Sequence, residues 1–388
     1  MRNAKNSKAI AVYGATGYTG RLIVRELVDS GHEVIVAGRD AAGLRRVADR
    51  FDGAVTCAAI ALDDTAGLIA LASRVRTVVN AAGPFADTCA PIARAAVAGG
   101  AHYVDVSGEQ HAIRALFDEL GPAATERGVA LLPASAFYAT LCDLLVSLAA
   151  RDIGPVIDLD IAYHVENWVP SGAAFRNRVL GLTLSTIQFD NGYTDIDRQP
   201  ATRFVDFGGT IGRRRVAMYP APEVLTIPRH VDVARLRTSM ATSTLSPQRI
   251  AEPLVPLLAR IAARGLESRA APVIEKLVTA GIGGSPTRFD SDPTRFDLVA
   301  HLTGTAGKRT ATLSGPGIFD ITGPIAARVA ATTTDAGFMS AGPLSAAEIL
   351  DPSAFLTGLG ERGVSFRIDR SSTTRPPGTS PDPGRQEP

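Results

Sequence analysis

A short apolar run that leads into three closely spaced glycines is the feature that most constrains how this chain folds. Residues 9–13 are apolar and fit a buried strand, and a helical pattern begins at Tyr18. The loop at this junction reads Gly14, Ala15, Thr16, Gly17, Tyr18, Thr19 and Gly20. Glycines at such a turn let backbone N–H groups approach a diphosphate, and the following helix presents its positive dipole end. The loop therefore predicts a dinucleotide site formed by these seven residues.

The three hydroxyl-bearing residues of this loop have separate expected roles. Thr16 and Thr19 place hydroxyls beside the phosphates, and Tyr18 covers the loop. A glycine turn without a ligand is the alternative, because three glycines alone are a weak signal. The strand before the loop, the helix after it and a second strand in the correct place favour the dinucleotide site.

The alternation of apolar runs and helical stretches continues to Leu132 and indicates a parallel sheet covered on both faces. The predicted strands are residues 9–13, 33–37, 54–58, 77–80, 103–106 and 129–132. The predicted helices are residues 18–30, 42–50, 65–73, 89–98 and 113–127. The fold class is therefore α/β, with a Rossmann-type doubly wound parallel sheet in residues 1–150.

A second α/β domain with a mixed sheet is expected over residues 151–348. Residues 157–166 alternate apolar and polar side chains, as in a strand with one wet face. Helices are predicted at 172–189, 247–281 and 324–332, and a strand pair at 296–303 and 309–313. Residues 349–370 either fold back on the first domain or continue the second, and the sequence does not distinguish these two arrangements. The tail 371–388 is rich in Pro, Gly, Ser and Thr and is expected to be disordered.

The end of the second predicted strand bears on the choice of cofactor. NAD sites usually carry an acidic side chain there, but this strand ends in Gly38 and Arg39. A guanidinium fork matches the oxygens of a 2′-phosphate, so Arg39 favours NADP(H). Asp40 follows Arg39 directly. It either caps the next helix, or it binds the ribose hydroxyls, in which case NAD is the cofactor.

The end of the fourth predicted strand is expected to lie beside the nicotinamide half of the cofactor. We assign cofactor contacts there to Asn80, Ala81, Gly83, Pro84 and Phe85. Asn80 is expected to hydrogen-bond a ribose, the small residues admit the ring, and Phe85 lies at the pocket mouth. A loop shaped only for packing is the alternative.

These motifs together resemble the saccharopine dehydrogenase-like family, which includes saccharopine reductases and trans-acting enoyl reductases. The specific part is the run from Asn80 to Phe85 followed by residues 100–109, which read GAHYVDVSGE. The resemblance covers about 150 residues and implies a Rossmann domain, a second α/β domain at the substrate cleft, and NADP(H). Residues 134–143 depart from the Gly-Phe-Asp-Ser-x-Pro-x-Asp pattern of many members, which puts a shared substrate in doubt.

Candidates for the proton that follows a hydride are Tyr138 and Asp143 after the sixth strand, and His164, Glu166 and Trp168 in the second domain. We select Tyr138, Asp143 and His164 as the catalytic residues. Each also has a structural alternative, namely a core aromatic, a satisfied helix residue and a solvent-facing strand position. Asp105 and Glu109 are expected to order the loop after the fifth strand. No Tyr-x-x-x-Lys pair is present, which excludes the short-chain dehydrogenase mechanism.

The composition and charge of the chain limit the classes of molecule that it is expected to bind. The net charge is +1 with arginines scattered along the chain, which argues against nucleic acid. The three cysteines are widely spaced, so we expect no metal site. The apolar stretch 129–150 is interpreted as a strand, a turn and a helix, because Pro133 and Asp143 interrupt it. A cytoplasmic location is expected by default, with peripheral membrane contact and a homodimer left open.

The leading hypothesis is an NADPH-dependent oxidoreductase that reduces a C=N or activated C=C bond of a small-molecule intermediate. A lipophilic or carrier-bound substrate is slightly favoured by the apolar second domain. A ketone reductase and a non-catalytic NADP-binding regulator are the alternatives.

Overall fold

The structure is a computed structural model that describes residues 9–51, 53–168, 186–196, 202–245 and 292–370. These residues form two sheets with helices packed between and around them. The predicted helix at 247–281 and the predicted disordered tail at 371–388 lie outside the described residues.

The first domain alternates strands and helices as predicted. Its strands are β1 Ile10–Tyr13, β2 Val34–Gly38, β3 Val55–Ala59, β4 Thr77–Asn80, β5 His102–Asp105 and β6 Ala130–Leu132. Its helices are α1 Tyr18–Asp29, α2 Ala41–Ala48, α3 Thr65–Ala72, α4 Phe85–Gly99, α5 Gln110–Ala115, α6 Gly121–Arg127 and α7 Thr140–Ala149, with a π-helical turn at Leu116–Leu120. The six strands are parallel in the order β6-β5-β4-β1-β2-β3, so the predicted Rossmann-type sheet is confirmed.

Two helix boundaries of this domain differ from the prediction for identifiable reasons. α4 begins at Phe85 rather than 89 because the Glu109 carboxylate accepts the N–H groups of Phe85 and Ala86. The single helix predicted at 113–127 is three successive segments because Pro122 lacks an N–H and disfavours a continuous helix. The predicted strand, turn and helix at 129–150 are present as β6 and α7.

The second sheet is mixed, as predicted. Its strands begin with β7 Val156–Glu166, β8 Thr186–Asp190, β9 Tyr193–Ile196, β10 Thr202–Asp206, β11 Arg213–Met218, β12 Val233–Ala241, β13 Arg295–Gly304 and β14 Lys308–Pro316. The accompanying helices are α8 Glu223–Thr226, α9 Thr242–Leu245 and α10 Ile318–Thr332, with a 3₁₀ turn at Ile227–Arg229. β7 runs parallel to β12 and antiparallel to β13, and β13 and β14 form the predicted antiparallel pair.

The end of the helix predicted at 172–189 is wrong, because Thr186–Asp190 is a strand. The Gln110 side chain binds both backbone groups of Ile187, donating from Nε2 at 3.2 Å and accepting at Oε1 at 3.0 Å. This tertiary contact, together with pairing to β12 and β9, holds the segment extended. The rest of that predicted helix lies outside the described residues.

The last part of the chain completes both sheets with β15 Gly342–Pro343, α11 Pro352–Gly358 and β16 Ser365–Arg370, plus 3₁₀ turns at Ala346–Glu348 and Leu359–Arg362. α10 packs against α1, and β15 pairs with β6 in the first sheet, whereas β16 pairs with β14 in the second. Residues 318–343 therefore return to the first domain, and part of the expected return at 349–370 also contacts it, since α11 packs against α7 and Arg362 pairs with Glu26 of α1. α10 begins before the predicted 324 because Thr294 and Asp292 accept the N–H groups of Ile318 and Phe319.

The crossing of α10 and α1 generates the first prediction. A Cβ at Gly323 lies 2.8 Å from the Leu22 Cβ, closer than real carbon contacts. We expect Gly323→Ala to lower the free energy of unfolding by about 1–3 kcal/mol, although alanine favours helix. Urea unfolding measures the effect. Gly358→Ala is the matched control, since a Cβ there has no heavy atom within 4 Å, and equal losses in both variants contradict the prediction.

Candidate cofactor and substrate site

The glycine loop is held against the neighbouring strand end by backbone contacts that leave no room for side chains. Gly14 has φ +83°, and a Cβ there lies 2.7 Å from the backbone N of Ala82. A Cβ at Gly20 lies 2.3 Å from the Gly14 carbonyl oxygen. Gly17 occupies the N-cap of α1 and supplies no side-chain cap. The N-terminus of this twelve-residue helix is therefore suited to an anionic ligand.

Tyr18, the residue expected to cover the loop, makes side-chain contacts with α10. Its hydroxyl donates to Asp320 Oδ1 at 2.5 Å, and its ring makes an edge contact with Phe319, both in the first turn of α10. Burial, with the Asp320 carboxylate adding to it, raises the pKa of Tyr18. Tyr18 therefore connects the loop to α10.

Arg39 lies at the carboxyl end of β2 with an exposed side chain. It forms no hydrogen bond or ion pair with the described residues. Asp40 is used elsewhere, because its Oδ1 accepts the Gly43 N–H at 2.9 Å and caps α2. A Cβ at Gly43 lies 3.0 Å from the Thr16 methyl, so the start of α2 adjoins the glycine loop. The Arg39 guanidinium is therefore available for a ligand.

Asn80 has a different role from the ribose contact expected of it. The side chain is buried, its Nδ2 donates to Thr88 Oγ1 and to the Tyr103 hydroxyl at 3.2 Å each, and its Oδ1 accepts the Ala82 N–H at 3.0 Å. These bonds use the amide inside the protein and shape the loop after β4. Ala81, Gly83, Pro84 and Phe85 remain partly exposed along this loop, so their predicted cofactor contacts stay predictions.

Asp105 and Glu109 order the neighbouring loops, as expected. Asp105 Oδ1 accepts the backbone N–H groups of Ser107 and Ala134, both at 2.9 Å. The Glu109 carboxylate lies at the N-terminus of α4, where burial raises its pKa. Asp105 thereby joins the loop after β5 to the loop after β6, which carries Tyr138.

Tyr138 lies among aromatic rings where the first domain meets the second sheet. Its ring centroid is 5.3 Å from that of Tyr163 on β7 and 5.8 Å from that of Tyr219 after β11. The Phe137 ring centroid lies 4.7 Å from that of Tyr138. Because Tyr138 follows β6, it lies at the carboxyl edge of the parallel sheet, the edge that also carries the glycine loop.

Glu223 is a buried carboxylate that sequence reasoning missed. Its Oε1 accepts the Ala139 N–H at 2.7 Å and also accepts the Tyr163 hydroxyl, while Oε2 has no hydrogen-bond partner. Burial raises its pKa to about 7. Ala139 has φ +62°, a strained conformation for alanine, so Glu223 supports the turn directly after Tyr138. The available signal was one acidic residue between Pro222 and Val224.

Asp143 lies in the first turn of α7, the helix that follows this turn. It is fully buried in α7, accepts the Thr226 hydroxyl at 2.9 Å, and has its Oδ2 3.7 Å from Nε2 of His230. Burial raises the pKa of Asp143. Gln110 adds a further bond across the same interface, donating to the Ala221 carbonyl at 2.8 Å. Asp143 and Gln110 therefore join the first domain to the segment that carries Glu223.

His164 is separated from the other two predicted catalytic residues. It follows Tyr163 in β7, so its side chain lies on the opposite face of the second sheet. There it is buried, 5.9 Å from the Phe207 ring and 3.8 Å from Asp297 Oδ2. The structure thus places Tyr138 among the aromatic rings between the first domain and the second sheet, Asp143 within α7 and His164 on the opposite face of the second sheet.

Comparison with known proteins is consistent with this geometry. Residues 10–131 match the family model described as the saccharopine dehydrogenase NADP binding domain. A lipid droplet localized protein of Caenorhabditis elegans is 32% identical over 195 residues, 45% of each chain. A trans-acting enoyl reductase of Mycobacterium tuberculosis is 28% identical over 185 residues, 45% of this chain and 44% of that protein. The chain thus spans less than half the length of these relatives.

The fold of both domains is shared with a solved structure. Saccharopine dehydrogenase (L-Glu forming) from Saccharomyces cerevisiae matches with a TM-score of 0.62 at 12% identity, over 94% of this chain and 100% of that one. At this identity the likeness shows the fold alone. Within the described residues, no helix combines the length and apolar character needed to cross a membrane.

The buried position of Glu223 generates a pH prediction. Its folded pKa of about 7 exceeds the ordinary 4.5, so the folded state holds this proton more tightly than the unfolded state does. The stability it contributes is complete below pH 4.5 and is lost as pH rises to 7. Relative to Glu223→Gln, the native protein should lose up to about 1.4 kcal/mol per pH unit across this window.

Urea unfolding of both proteins at pH 5, 6 and 7 measures this difference. Carboxyls that do not interact with Glu223 titrate equally in the two proteins and cancel. Glu361→Gln, at an exposed position, is the control and should show a pH-independent difference. A pH-independent difference for Glu223→Gln as well contradicts the prediction.

Proposed function

Because residues 10–131 belong to the saccharopine dehydrogenase NADP-binding domain family, we propose that this chain is an NADPH-dependent reductase acting on a C=N or activated C=C bond. The observation that carries the proposal is the glycine loop, packed against residues 81–82 and followed by an uncapped helix N-terminus. Gly14 and Gly20 allow the loop, the end of β4 and the start of α1 to pack backbone to backbone, which a Cβ at either position would prevent. The residues present therefore fit the cofactor that the family name implies.

The preference for the 2′-phosphorylated cofactor rests on Arg39. Its guanidinium is exposed beside the glycine loop, and Asp40 is occupied by its helix cap. A free guanidinium binds a phosphate through charge-assisted, bidentate hydrogen bonds. NAD sites use an acidic side chain at the end of this strand to bind the ribose hydroxyls. The end of β2 has Arg39 at that position instead.

Reduction requires a hydride and a proton at the two ends of the reduced bond. The bound cofactor supplies the hydride, and the chain must orient the substrate, exclude water and supply the proton. Tyr138 is the residue proposed to hold that proton at its phenol oxygen, which is buried at the carboxyl edge of the first sheet. The rings of Phe137, Tyr163 and Tyr219 surround it and exclude water.

Glu223 and Asp143 act behind Tyr138 as positioning residues. The Glu223 carboxylate accepts a hydrogen bond from the Ala139 N–H and so fixes the backbone next to Tyr138. Asp143 binds Thr226 one turn after Glu223, which keeps α8 against α7. The similarity to a mycobacterial trans-acting enoyl reductase favours the C=C version of the proposal.

Cofactor titration tests the first half of the proposal. We expect the chain to bind NADPH more tightly than NADH and Arg39→Ala to weaken NADPH binding about 10- to 100-fold, since one or more charge-assisted bonds are lost. NADH affinity should change little. Nicotinamide fluorescence measures both constants. Arg74→Ala is the control, because Arg74 is exposed and precedes β4 at the opposite edge of the sheet. Equal NADPH and NADH affinities in the native protein contradict the assignment of Arg39.

Turnover tests the second half. NADPH oxidation is followed at 340 nm with a panel of cyclic imines, α,β-unsaturated thioesters and ketones. On a substrate that is reduced, Tyr138→Phe should lower kcat by about 100-fold or more while NADPH affinity is retained. Tyr193→Phe, an exposed tyrosine on β9, is the control. Unchanged kcat in Tyr138→Phe removes Tyr138 as proton donor, and cofactor binding without any turnover indicates a non-catalytic regulator.

A further inference from the structure

The guanidinium of Arg21 lies at the glycine loop. Arg21 is in the first turns of α1, and its Nη1 donates to the Thr16 carbonyl oxygen at 2.7 Å. Thr16 precedes the helix, so the side chain runs back along α1 toward the loop, which is the direction that helical side chains take. The bond to Thr16 therefore fixes a positive charge beside the loop that is proposed to bind the cofactor.

The first turn of α1 presents backbone donors next to this guanidinium. The N–H groups of Tyr18, Thr19 and Gly20 donate to no acceptor in the described part of the chain, whereas the Arg21 N–H donates to the Gly17 carbonyl at 3.1 Å. Free N–H groups and the positive end of the dipole attract anions to a helix N-terminus. Arg21 thus adds a full positive charge to a turn that already favours an anion.

Arg21 forms no ion pair with the described residues, although two carboxylates lie near the start of α10. Asp320 accepts the Tyr18 hydroxyl at Oδ1 and the Asp292 N–H at Oδ2. Asp292 accepts the Phe319 N–H at 2.7 Å. Neutral donors occupy both carboxylates, and the bond to Thr16 leaves the other N–H groups of the Arg21 guanidinium available for a ligand.

Arg21 and Arg39 belong to different sides of the loop. Arg39 follows β2, which pairs with β1 on the side that carries β3. Arg21 shares a face of α1 with Tyr18, three residues earlier, and Tyr18 contacts α10, which packs against β4 and β5 on the other side of β1. The acidic or basic residue that ends β2 binds the adenosine ribose in such sheets, and the diphosphate lies at the N-terminus of α1. Arg21 is therefore the cation placed at the diphosphate.

We propose that Arg21 binds the diphosphate of the cofactor, which NADPH and NADH share, whereas Arg39 binds the 2′-phosphate that only NADPH carries. This inference rests on the proposed function and adds a second binding residue to the same site. Guanidinium N–H groups form charge-assisted hydrogen bonds with phosphate oxygens, and the Thr16 carbonyl holds Arg21 in place before the cofactor binds. Arg21 sets the affinity for both nucleotides, and Arg39 sets the choice between them.

Titration of Arg21→Gln with NADPH and with NADH tests this assignment. We expect both affinities to fall by the same factor, about 10-fold or more, because a charge-assisted contact with the shared diphosphate is lost. Arg39→Ala, by contrast, should weaken NADPH binding alone. Nicotinamide fluorescence measures all four constants without any turnover. A loss in Arg21→Gln that is confined to NADPH would mean that Arg21 contacts the 2′-phosphate, and it overturns the assignment.

Arg25→Gln is the matched control for the loss of charge. Arg25 is an exposed residue of α1, about 6 Å farther from the loop along the helix axis, and it forms no hydrogen bond or ion pair within the described ranges. The substitution removes the same charge from the same helix and should leave both affinities unchanged. Equal losses in Arg21→Gln and Arg25→Gln indicate a general effect of net charge and overturn the proposal.

Ionic strength separates a charge contact with the cofactor from mere support of the loop. NADH is the probe, because it has no 2′-phosphate for Arg39. Added salt should weaken NADH binding more steeply in the wild type than in Arg21→Gln, since screening acts on the contact that the variant lacks. Arg21→Lys keeps the charge and should recover part of the NADH affinity. If Arg21 only supports the loop through Thr16, the two proteins show parallel salt dependences, which overturns the proposal.

The outcomes also separate this inference from the proposed function. If the wild type binds both nucleotides and Arg21→Gln binds them equally well, the assignment of Arg21 fails and the cofactor site remains. If the wild type binds neither nucleotide, both proposals fail. Binding with the expected loss in Arg21→Gln, but without turnover of any substrate, supports the assignment of Arg21 and counts against the reductase activity.

Discussion

The structure depends on a backbone contact that only glycine permits. Gly14 approaches the backbone of residues 81–82, and Gly20 lies over the Gly14 carbonyl, so β1, β4 and α1 meet with no side chain between them. This contact brings the ends of two central strands together, which is where a doubly wound sheet binds nucleotides. It also sets the direction of α1, against which α10 packs, with Gly323 again allowing close approach.

The second sheet is held to the first domain by buried polar groups as well as by apolar packing. Gln110 binds the backbone of Ile187 and Ala221, Asp143 binds Thr226, and Glu223 binds Ala139. Buried polar groups are expensive to leave unpaired, so these bonds tolerate few alternative arrangements of the two domains. The same bonds fix the turn that carries Tyr138, and the stability of the interface and the geometry of the site therefore have one origin.

The sequence predicted the first domain closely and the site only in part. The strand ends and the loops at Gly14, Arg39 and Gly83 were predictable because short-range periodicity and glycine chemistry determine them. The strand Thr186–Asp190 and the early start of α4 were not, since side chains distant in sequence, Gln110 and Glu109, impose them. Asn80 and His164 were in predicted strands, but which partners surround them depends on packing that no local pattern reports.

The sequence by itself determined the α/β class, the order of strands and helices, and the dinucleotide loop, because each follows from residues that are neighbours along the chain. Only the tertiary structure decided which side chains share the site. It placed Tyr138 beside Tyr163 and bonded Glu223 to the backbone of Ala139. The physical reason is that strand pairing and domain contact join residues tens of positions apart, and the energy of those contacts is absent until the chain has folded.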